Sequence, residues 1–599
     1  MAKRFVSKRN LKFLLYEVFN VEELTDYELF ADHSKDTFDM VIDTALKIGT
    51  DLMYPVFQEM DANPPQYIDG IVKTHPIVKH AMREFGEGGW INAGQSYEYG
   101  GQQLPTVIQN VIQFIFTAAN YSLNAYMSLT RGASNLIVHF GSEEQKRLYL
   151  DKMFAGQWQG TMALTEPDAG SSLADLKTTA EDTGKGYYLI KGKKIFISAG
   201  DTDAVDNTIH MMLARIKGAP AGVRGISMFI VPKYRVNPDG SLESNDLTCD
   251  GIEHKLGYKG APICQLTMGE NGDCRGYLVG EPNKGLSYMF HMMNEKRVGV
   301  GIGATGKATA AYYAALEYAQ QRLQGRRVTE KDPLSPQIPI IEHADVKRML
   351  LFQKAICEGS LSLALQAAKY LDYMAVGKDK EKYDLLSDLL IPIVKSYPSE
   401  MGILSTSAAI QCLGGYGFCQ DFPVEQYYRD IRIDTLHEGT TGIQGKDLLG
   451  RKVIMKNGKA YQYVLKEIDT TISKALNIDE LKPYASILKD ALQTFQEVTN
   501  HLVNIKSNGE VEQFEADATV YLEMAGNLLI GWQWLVQAIT AVEALKNCQS
   551  DNDINFYKGK MATFKFFYIY ELPKVESLAR VLTRSNGMTV LVNPAWLEE

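Results

Sequence analysis

Tyr187-Tyr-Leu-Ile-Lys-Gly-Lys-Lys-Ile-Phe-Ile-Ser198 is the stretch that decides the fold. Its β-branched and aromatic residues flank Gly192, and the pattern predicts a strand, a turn and a strand. Gly225-Ile-Ser-Met-Phe-Ile-Val-Pro232 and Gly276-Tyr-Leu-Val-Gly280 continue that texture, with Gly and Pro at the breaks. Outward of this region, in both directions, the period changes. Asp36-Thr-Phe-Asp-Met-Val-Ile-Asp-Thr-Ala-Leu-Lys47 and Val107-Ile-Gln-Asn-Val-Ile-Gln-Phe-Ile115 carry apolar residues at three- and four-residue spacing, which marks amphipathic helices. Ser142-Glu-Glu-Gln145 has the form of a capping box ahead of another helix. Helical spacing returns at Gly285 and runs to the end, interrupted by a loop from Gly325 to Ile341 and a polar break at Asn457-Gly458. The expected fold is a multi-domain α+β chain. It comprises a helical N-terminal domain (1–158), a small β-barrel or sandwich domain (159–280), a four-helix-bundle-like domain (281–458) and an additional helical domain (459–599).

At 599 residues the chain exceeds one ordinary domain. A composition of 45% apolar and 22% charged residues is that of a soluble globular protein. The net charge of −10 argues against nucleic acid as the main partner, because phosphate binding needs a clustered basic face. The seven cysteines show neither C-x-x-C pairing nor metal-ligand spacing, so reduced thiols in a reducing compartment and no metal site are expected. Met524 to Val542 lacks charge over a membrane-length stretch. Asn527, Gln533 and Gln537 interrupt it and Glu523 and Glu543 flank it, which predicts a helix buried among helices. The basic start, Met1 to Phe5, is followed by a short apolar run broken by Glu17, so no signal peptide is expected and the cytosol is the expected compartment.

Two stretches could carry chemistry. Tyr428-Arg-Asp-Ile-Arg-Ile-Asp-Thr-Leu-His-Glu-Gly-Thr-Thr-Gly-Ile-Gln444 narrows to one carboxylate, Glu438, then turns through Gly439 and Gly442. Such a carboxylate, beside apolar Leu436, could act as a general base facing a buried ligand, although a Glu before Gly is ordinarily a surface turn residue. Met162-Ala-Leu-Thr-Glu-Pro-Asp-Ala-Gly-Ser-Ser172 gathers small residues, a Pro and hydroxyls in one loop. That composition suits a backbone wrapping a planar polar ligand and offering N–H groups to phosphate, or equally a plain structural turn.

Taken in order, these segments resemble the acyl-CoA dehydrogenase flavoproteins. Thr165-Glu-Pro-Asp-Ala-Gly-Ser171 is similar to their T-E-P-x-A-G-S signature, and Lys194-Ile-Phe-Ile-Ser198 to K-x-W/F-I-T/S. Gln411-Cys-Leu-Gly-Gly-Tyr-Gly417 is similar to Q-x-L-G-G-x-G, and Arg429-Asp430 followed by Glu438-Gly439-Thr440 to the closing R-D and E-G-T. The resemblance covers about residues 30–455. Glu253-His-Lys-Leu-Gly257, Gly276 to Gly285 and Met292-Met-Asn-Glu-Lys-Arg297 resemble the long bacterial branch with an added C-terminal helical domain, which includes 3-methylmercaptopropionyl-CoA dehydrogenase.

The resemblance implies an FAD-dependent α,β-dehydrogenation of an acyl-CoA thioester to a trans-2-enoyl-CoA. Glu438 would take the α-proton while the β-hydride moves to flavin N5, with the Glu438 backbone N–H helping to polarise the thioester carbonyl. It implies cofactor contacts from Met162, Leu164, Thr165, Gly170, Ser171, Phe196, Ile197 and Ser198. Arg322, Gln324, His343, Gln411, Gly414 and Gly415 would reach the FAD of a second subunit, and Thr440 and Gly442 would follow the base. A helix-surface ion pair is the other reading of Arg322. Substrate contacts are implied for Ser171, Asn294, Arg297, Glu438 and Gly439, with a solvated helix face the other reading for Asn294 and Arg297. Glu166 and Asp430 read as structural, and His437 as shaping or filling the pocket. A homodimer that passes electrons to electron-transfer flavoprotein is implied, on 3-(methylthio)propanoyl-CoA or a short- to medium-chain acyl-CoA. The rival within the family is an acyl-CoA oxidase using oxygen. A DNA-binding, non-dehydrogenase relative is the rival of another class, against which the acidic balance of the C-terminal block and the presence of Glu438 both speak.

Overall fold

A computed structural model describes residues 4–598, without the side chains of residues 291–293. Met1 to Lys3 of the basic start, Glu599, and the side chains of Met292 and Met293 in the branch motif therefore lie outside the described residues. The chain forms two compact units. One comprises residues 41–104 and 115–296, the other residues 1–40, 105–114 and 297–599.

In the first unit the capping box forms as the sequence predicts. The Gln145 N–H donates to Ser142 Oγ at 3.2 Å, the Ser142 N–H donates to Gln145 Oε1 at 3.0 Å, and the helix Glu143–Phe154 begins there. A small hairpin, β1 (Gln66–Ile68) and β2 (Ile71–Lys73), turns at Asp69 and Gly70 with φ of +51° and +79°. The main sheet is built from β3 (Trp158–Ala163), β4 (Thr179–Asp182), β5 (Tyr188–Ser198), β6 (Asn207–Ile216) and β7 (Ile226–Pro232). A side ribbon of β8 (Tyr234–Val236) and β9 (Leu242–Ser244) precedes β10 (Leu247–Ile252), β11 (Ile263–Met268) and β12 (Arg275–Leu278). The sheet order is β10-β11-β5-β12-β7-β6-β3, with β4 paired to β5 and β6. Ile190, Ile197, Met212, Phe229, Leu266 and Met268 fill its core.

The predicted strand-turn-strand at 187–198 is instead one eleven-residue strand. Its first half pairs with β4 and β12, and its second half with β11. Gly192 is not a turn residue. A Cβ there would come within 2.5 Å of Thr178 Oγ1, so glycine permits a close crossing rather than a reversal.

The second unit is helical, and one helix anchors it. Ala518–Leu545 is long and apolar enough to cross a membrane, yet most of it is buried inside the unit. The side-chain oxygens of its three interrupting amides all accept hydrogen bonds there. Ser362 donates to Gln533 Oε1 at 2.7 Å, Tyr397 to Asn527 Oδ1 at 3.2 Å, and Lys560 to Gln537 Oε1 at 2.9 Å. Trp534 donates to the Ala355 carbonyl at 3.0 Å in the helix Ala344–Ala375. The polar break ahead of the last block is a run of three left-handed residues, Lys456, Asn457 and Gly458. Asp372 accepts the N–H groups of Thr106 and Val107 at 2.5 and 2.9 Å, satisfying two orphan donors at the start of the helix Thr106–Phe140.

Candidate active site

In the helical unit, Glu438 and Gly439 sit consecutively at φ of +54° and +87°. A left-handed non-glycine residue is uncommon and persists only when its surroundings hold it. Several contacts do so. Gln444 Nε2 donates to the Glu438 carbonyl at 3.1 Å, and a Cβ at position 439 would lie 2.6 Å from that nitrogen, so Gly439 is required. Thr440 caps the short helix Thr441–Lys446, its Oγ1 accepting the Ile443 N–H at 3.3 Å. Thr441 donates to Glu400 on the helix Lys380–Leu413. On the other side Gly445 lies against the backbone of Ala518, whose carbonyl oxygen would be 2.7 Å from an added Cβ. The C-terminal block thus buttresses the turn that carries Glu438. Glu438 is half-buried, and Leu436 beside it is exposed.

Beneath the turn lies charge. Lys307, from the helix Gly285–Gln321, pairs with Asp434 at 2.9 Å, both buried. Burial pushes Asp434 up and Lys307 down, and their contact offsets part of each shift. His437 Nε2 stands 3.6 Å from Asp434 Oδ1, which ties that side chain to the buried pair.

Arg297 corrects the sequence reading. It is only 4% exposed and donates to Asp447 at 3.1 Å, so it does not lie on a solvated helix face. Arg451 shares the same carboxylate at 2.7 Å. Arg297 Nη2 would lie 3.8 Å from a Cβ on Gly439, which makes the guanidinium a support for the turn.

Gln411, Gly414 and Gly415 are exposed, and an added Cβ at either glycine would meet nothing within 4 Å. Arg322 and Gln324 are also exposed. His343 Nε2 donates to the Gln324 carbonyl at 2.8 Å, and the Ile340 N–H to the Arg322 carbonyl at 2.8 Å, which fixes that loop. Gly442, in the short helix that Thr440 caps, is exposed.

In the β unit, a buried ion pair shapes the loop. Glu166 accepts from Lys194 at 2.8 Å and from the N–H groups of Lys177 and Thr178 at 2.6 and 3.1 Å. Lys194 also donates to the Leu164 carbonyl at 2.9 Å. Burial pushes Glu166 up, but the Lys194 charge and the donors outweigh it and hold the carboxyl below its usual range. Burial lowers Lys194 to about 8 against the pull of Glu166. With Glu166 and Ala169 exchanging backbone hydrogen bonds, Gly170 and Ser171 are left exposed and Met162, Leu164 and Thr165 half-buried.

Phe196 is the outlier of this unit. The register with β11 slips so that Ile195 and Phe196 oppose Gln265 alone, a bulge that re-aims the side chain. Phe196 sits at φ +59° and is 60% exposed, an aromatic held in a strained conformation with its ring in the open. Ile197 turns into the sheet core, leaving only its backbone to offer a ligand, and Ser198 is half-buried. Asn294 is half-buried in the same unit.

Sequence reasoning missed Gln444 and the Lys307–Asp434 pair. The only available signal was a single lysine within the otherwise uncharged run 298–316.

Comparison with known proteins follows this anatomy. Family models described as the N-terminal, middle and C-terminal domains of acyl-CoA dehydrogenase match residues 40–157, 161–270 and 283–453. A fourth, "Acetyl-CoA dehydrogenase C-terminal like", matches residues 464–591. A butyryl-CoA dehydrogenase of Syntrophomonas wolfei is 36% identical over 583 residues, covering 95% of each chain. The 3-methylmercaptopropionyl-CoA dehydrogenase of Ruegeria pomeroyi is 37% identical over 493 residues, 82% of each. A Bacillus anthracis acyl-CoA dehydrogenase solved with FAD shares the fold, with a TM-score of 0.73 at 22% identity, over 98% of this chain and 93% of that one. The chain belongs to the acyl-CoA dehydrogenase family, oxidoreductases that act on CH–CH bonds.

Proposed function

We propose that this chain dehydrogenates the Cα–Cβ bond of a short acyl-CoA thioester, with Glu438 removing the α-proton. The observation that carries this reading is the left-handed, half-buried Glu438, held by Gln444, Gly439 and the helices on either side. A carboxylate so fixed keeps its geometry without paying for reorganisation when substrate arrives. The Glu438 N–H can donate to the thioester oxygen, where charge develops as the α-carbon is deprotonated.

The cofactor is FAD, and the residues present fit it. Phe196 offers an exposed flat face in a conformation that packing alone does not explain, and Gly414-Gly415 leaves open backbone where a bulky ligand could approach. Leu164, Thr165 and Ser171 would hold the pyrimidine edge and pyrophosphate, and Ser198 would lie near the reactive nitrogen. Bound FAD supplies the acceptor for the β-hydride.

Phe196 yields a prediction. Phe196→Gly suits φ +59° better and leaves the apoprotein at least as stable in thermal unfolding. It weakens FAD retention by up to about tenfold, because an aromatic contact of this kind contributes about 0.5–1.5 kcal/mol. FAD fluorescence during dilution measures it, and undiminished retention removes Phe196 from the flavin site.

Similarity to butyryl-CoA and 3-methylmercaptopropionyl-CoA dehydrogenases supports a short acyl group, and replacing a methylene by sulfur changes affinity only modestly. We further propose a homodimer, electron-transfer flavoprotein as acceptor, and the domain partition 1–158, 159–280, 281–458 and 459–599. The test is anaerobic bleaching of the yellow holoprotein by a panel of thioesters. Butyryl-CoA and 3-(methylthio)propanoyl-CoA should bleach it faster than palmitoyl-CoA, and electron-transfer flavoprotein should reoxidise it faster than oxygen. A holoprotein bleached by no thioester sinks the reading.

A further inference from the structure

Gln444 stands in the short helix Thr441–Lys446 and is 0% exposed. Its amide is half used. Nε2 donates to the Glu438 carbonyl at 3.1 Å, while Oε1 is buried and accepts no hydrogen bond from the described residues. The Arg297 guanidinium, which also approaches Gly439, is committed to Asp447 through Nη1. A buried acceptor without a donor costs folding free energy, and an apolar side chain of the same volume avoids that cost. Stability therefore does not account for a glutamine here, and the group needs another explanation.

The surrounding backbone fixes where that amide reaches. The Gln444 N–H donates to the Thr440 carbonyl at 3.0 Å, which sets the residue in the helix. Gly445, next in the chain, is pinned against the C-terminal block, where an added Cβ would lie 2.7 Å from the Ala518 carbonyl oxygen and 2.9 Å from the Thr519 nitrogen. Across the turn, a Cβ on Gly439 would lie 2.6 Å from Gln444 Nε2, so the amide sits directly over the link between residues 438 and 439. The Thr440 cap and the bond from Thr441 to Glu400 hold the flank of the turn. The Gln444 amide bonds Glu438 itself.

We infer that Gln444 is a positioning residue for the base, its amide holding the Glu438 backbone in the conformation that aims the carboxylate, at a cost to the stability of the fold. The inference rests on the reading of Glu438 as the base. A left-handed residue with a Cβ persists only while its surroundings over-determine it, and Glu438 is at φ +54°. Because Glu438 is half-buried, its carbonyl can turn to solvent once the amide is gone, and the carboxylate moves with the backbone. Proton transfer from carbon is sensitive to such a displacement, whereas binding of the thioester is not made through Gln444.

The test compares FAD holoenzymes of the native chain, Gln444→Met and Gln444→Asn, each also made in the Glu438→Gln background. Methionine keeps the volume and removes the donor, and asparagine keeps the amide but withdraws it by one methylene. Anaerobic bleaching at varied butyryl-CoA gives a plateau rate and a half-saturation. Both variants should lower the plateau about ten- to a hundredfold and leave half-saturation within about twofold. Gln444→Met should melt no lower than the native chain, since it buries no unpaired acceptor. In the Glu438→Gln background neither variant should slow the residual bleaching further, because no carboxylate is left to aim. A folded variant with the native plateau overturns the inference, and so does an equal loss in both backgrounds. A Gln444→Met protein that melts well below the native chain also overturns it, because the amide then serves the fold. Native-rate bleaching by Glu438→Gln alone removes the base itself, a result read before any change at 444.

Discussion

Glu438→Gln retains FAD, remains yellow and loses reduction by butyryl-CoA by roughly three to four orders of magnitude, the upper range for removing a positioned general base. The substitution is nearly isosteric and leaves the backbone alone. Gln444 still donates to the carbonyl of residue 438, and Gly439 still clears the Gln444 amide. The backbone N–H of residue 438, proposed to meet the thioester oxygen, also stays, so the loss should fall on proton transfer rather than on binding. Glu438→Asp separates the two contributions. It keeps the carboxylate but withdraws it by one methylene, and a displacement of about 1 Å costs on the order of a hundredfold. Stopped-flow bleaching under anaerobic conditions measures both variants, and a Gln variant reduced at the native rate sinks the assignment. Loss of FAD from the Gln variant is not expected, because the flavin-facing candidates Phe196 and Ser171 are unaffected by a side-chain change at 438.

The order helix, sheet, helix was legible because hydrophobic period switches sharply near residues 160 and 285, and the capping box at Ser142 could be read by rule. Features set by tertiary contact could not. Gly192 carries the local signature of a turn, and only the approach of Thr178 shows why a glycine stands in mid-strand. The hairpin at 66–73 has a readable Asp69-Gly70 turn, but strands of three residues are too short to show alternation. Arg297 looks like a surface cation in a charged segment, and only Asp447, 150 residues later, explains its burial. The same holds for the support of Glu438. Gln444 is a short helix residue until the fold turns its amide onto the Glu438 carbonyl, and nothing local to Lys307 announces Asp434. Ala518 in the C-terminal block reaches the turn of Glu438 through one close backbone contact, a role that amphipathic periodicity cannot reveal.

Glu166→Gln lowers the thermal midpoint of the holoprotein at pH 7 more than any substitution at an exposed position. Lys194 is fully buried beside it, and removing the carboxylate leaves an uncompensated cation, at a cost of about 3–5 kcal/mol. The double variant Glu166→Gln/Lys194→Met should recover part of that stability, since a buried pair replaced by uncharged groups of similar size is often close to neutral. It should not recover FAD retention, because Lys194 also holds the Leu164 carbonyl and with it the loop of Thr165 and Ser171. The pH dependence has a defined sign. Glu166 is held below its ordinary value of 4.5, so the stabilisation is present above that pH and is lost as pH falls through the lower folded value. Native and Glu166→Gln midpoints should therefore converge on acidification, because a protonated Glu166 leaves Lys194 as uncompensated as Gln does. The double variant, which holds neither charge, should not show that loss. Differential scanning calorimetry at neutral and acidic pH measures this. A Glu166→Gln protein as stable as the native one at pH 7 means that Lys194 finds another partner, and that the loop is held by something other than this pair.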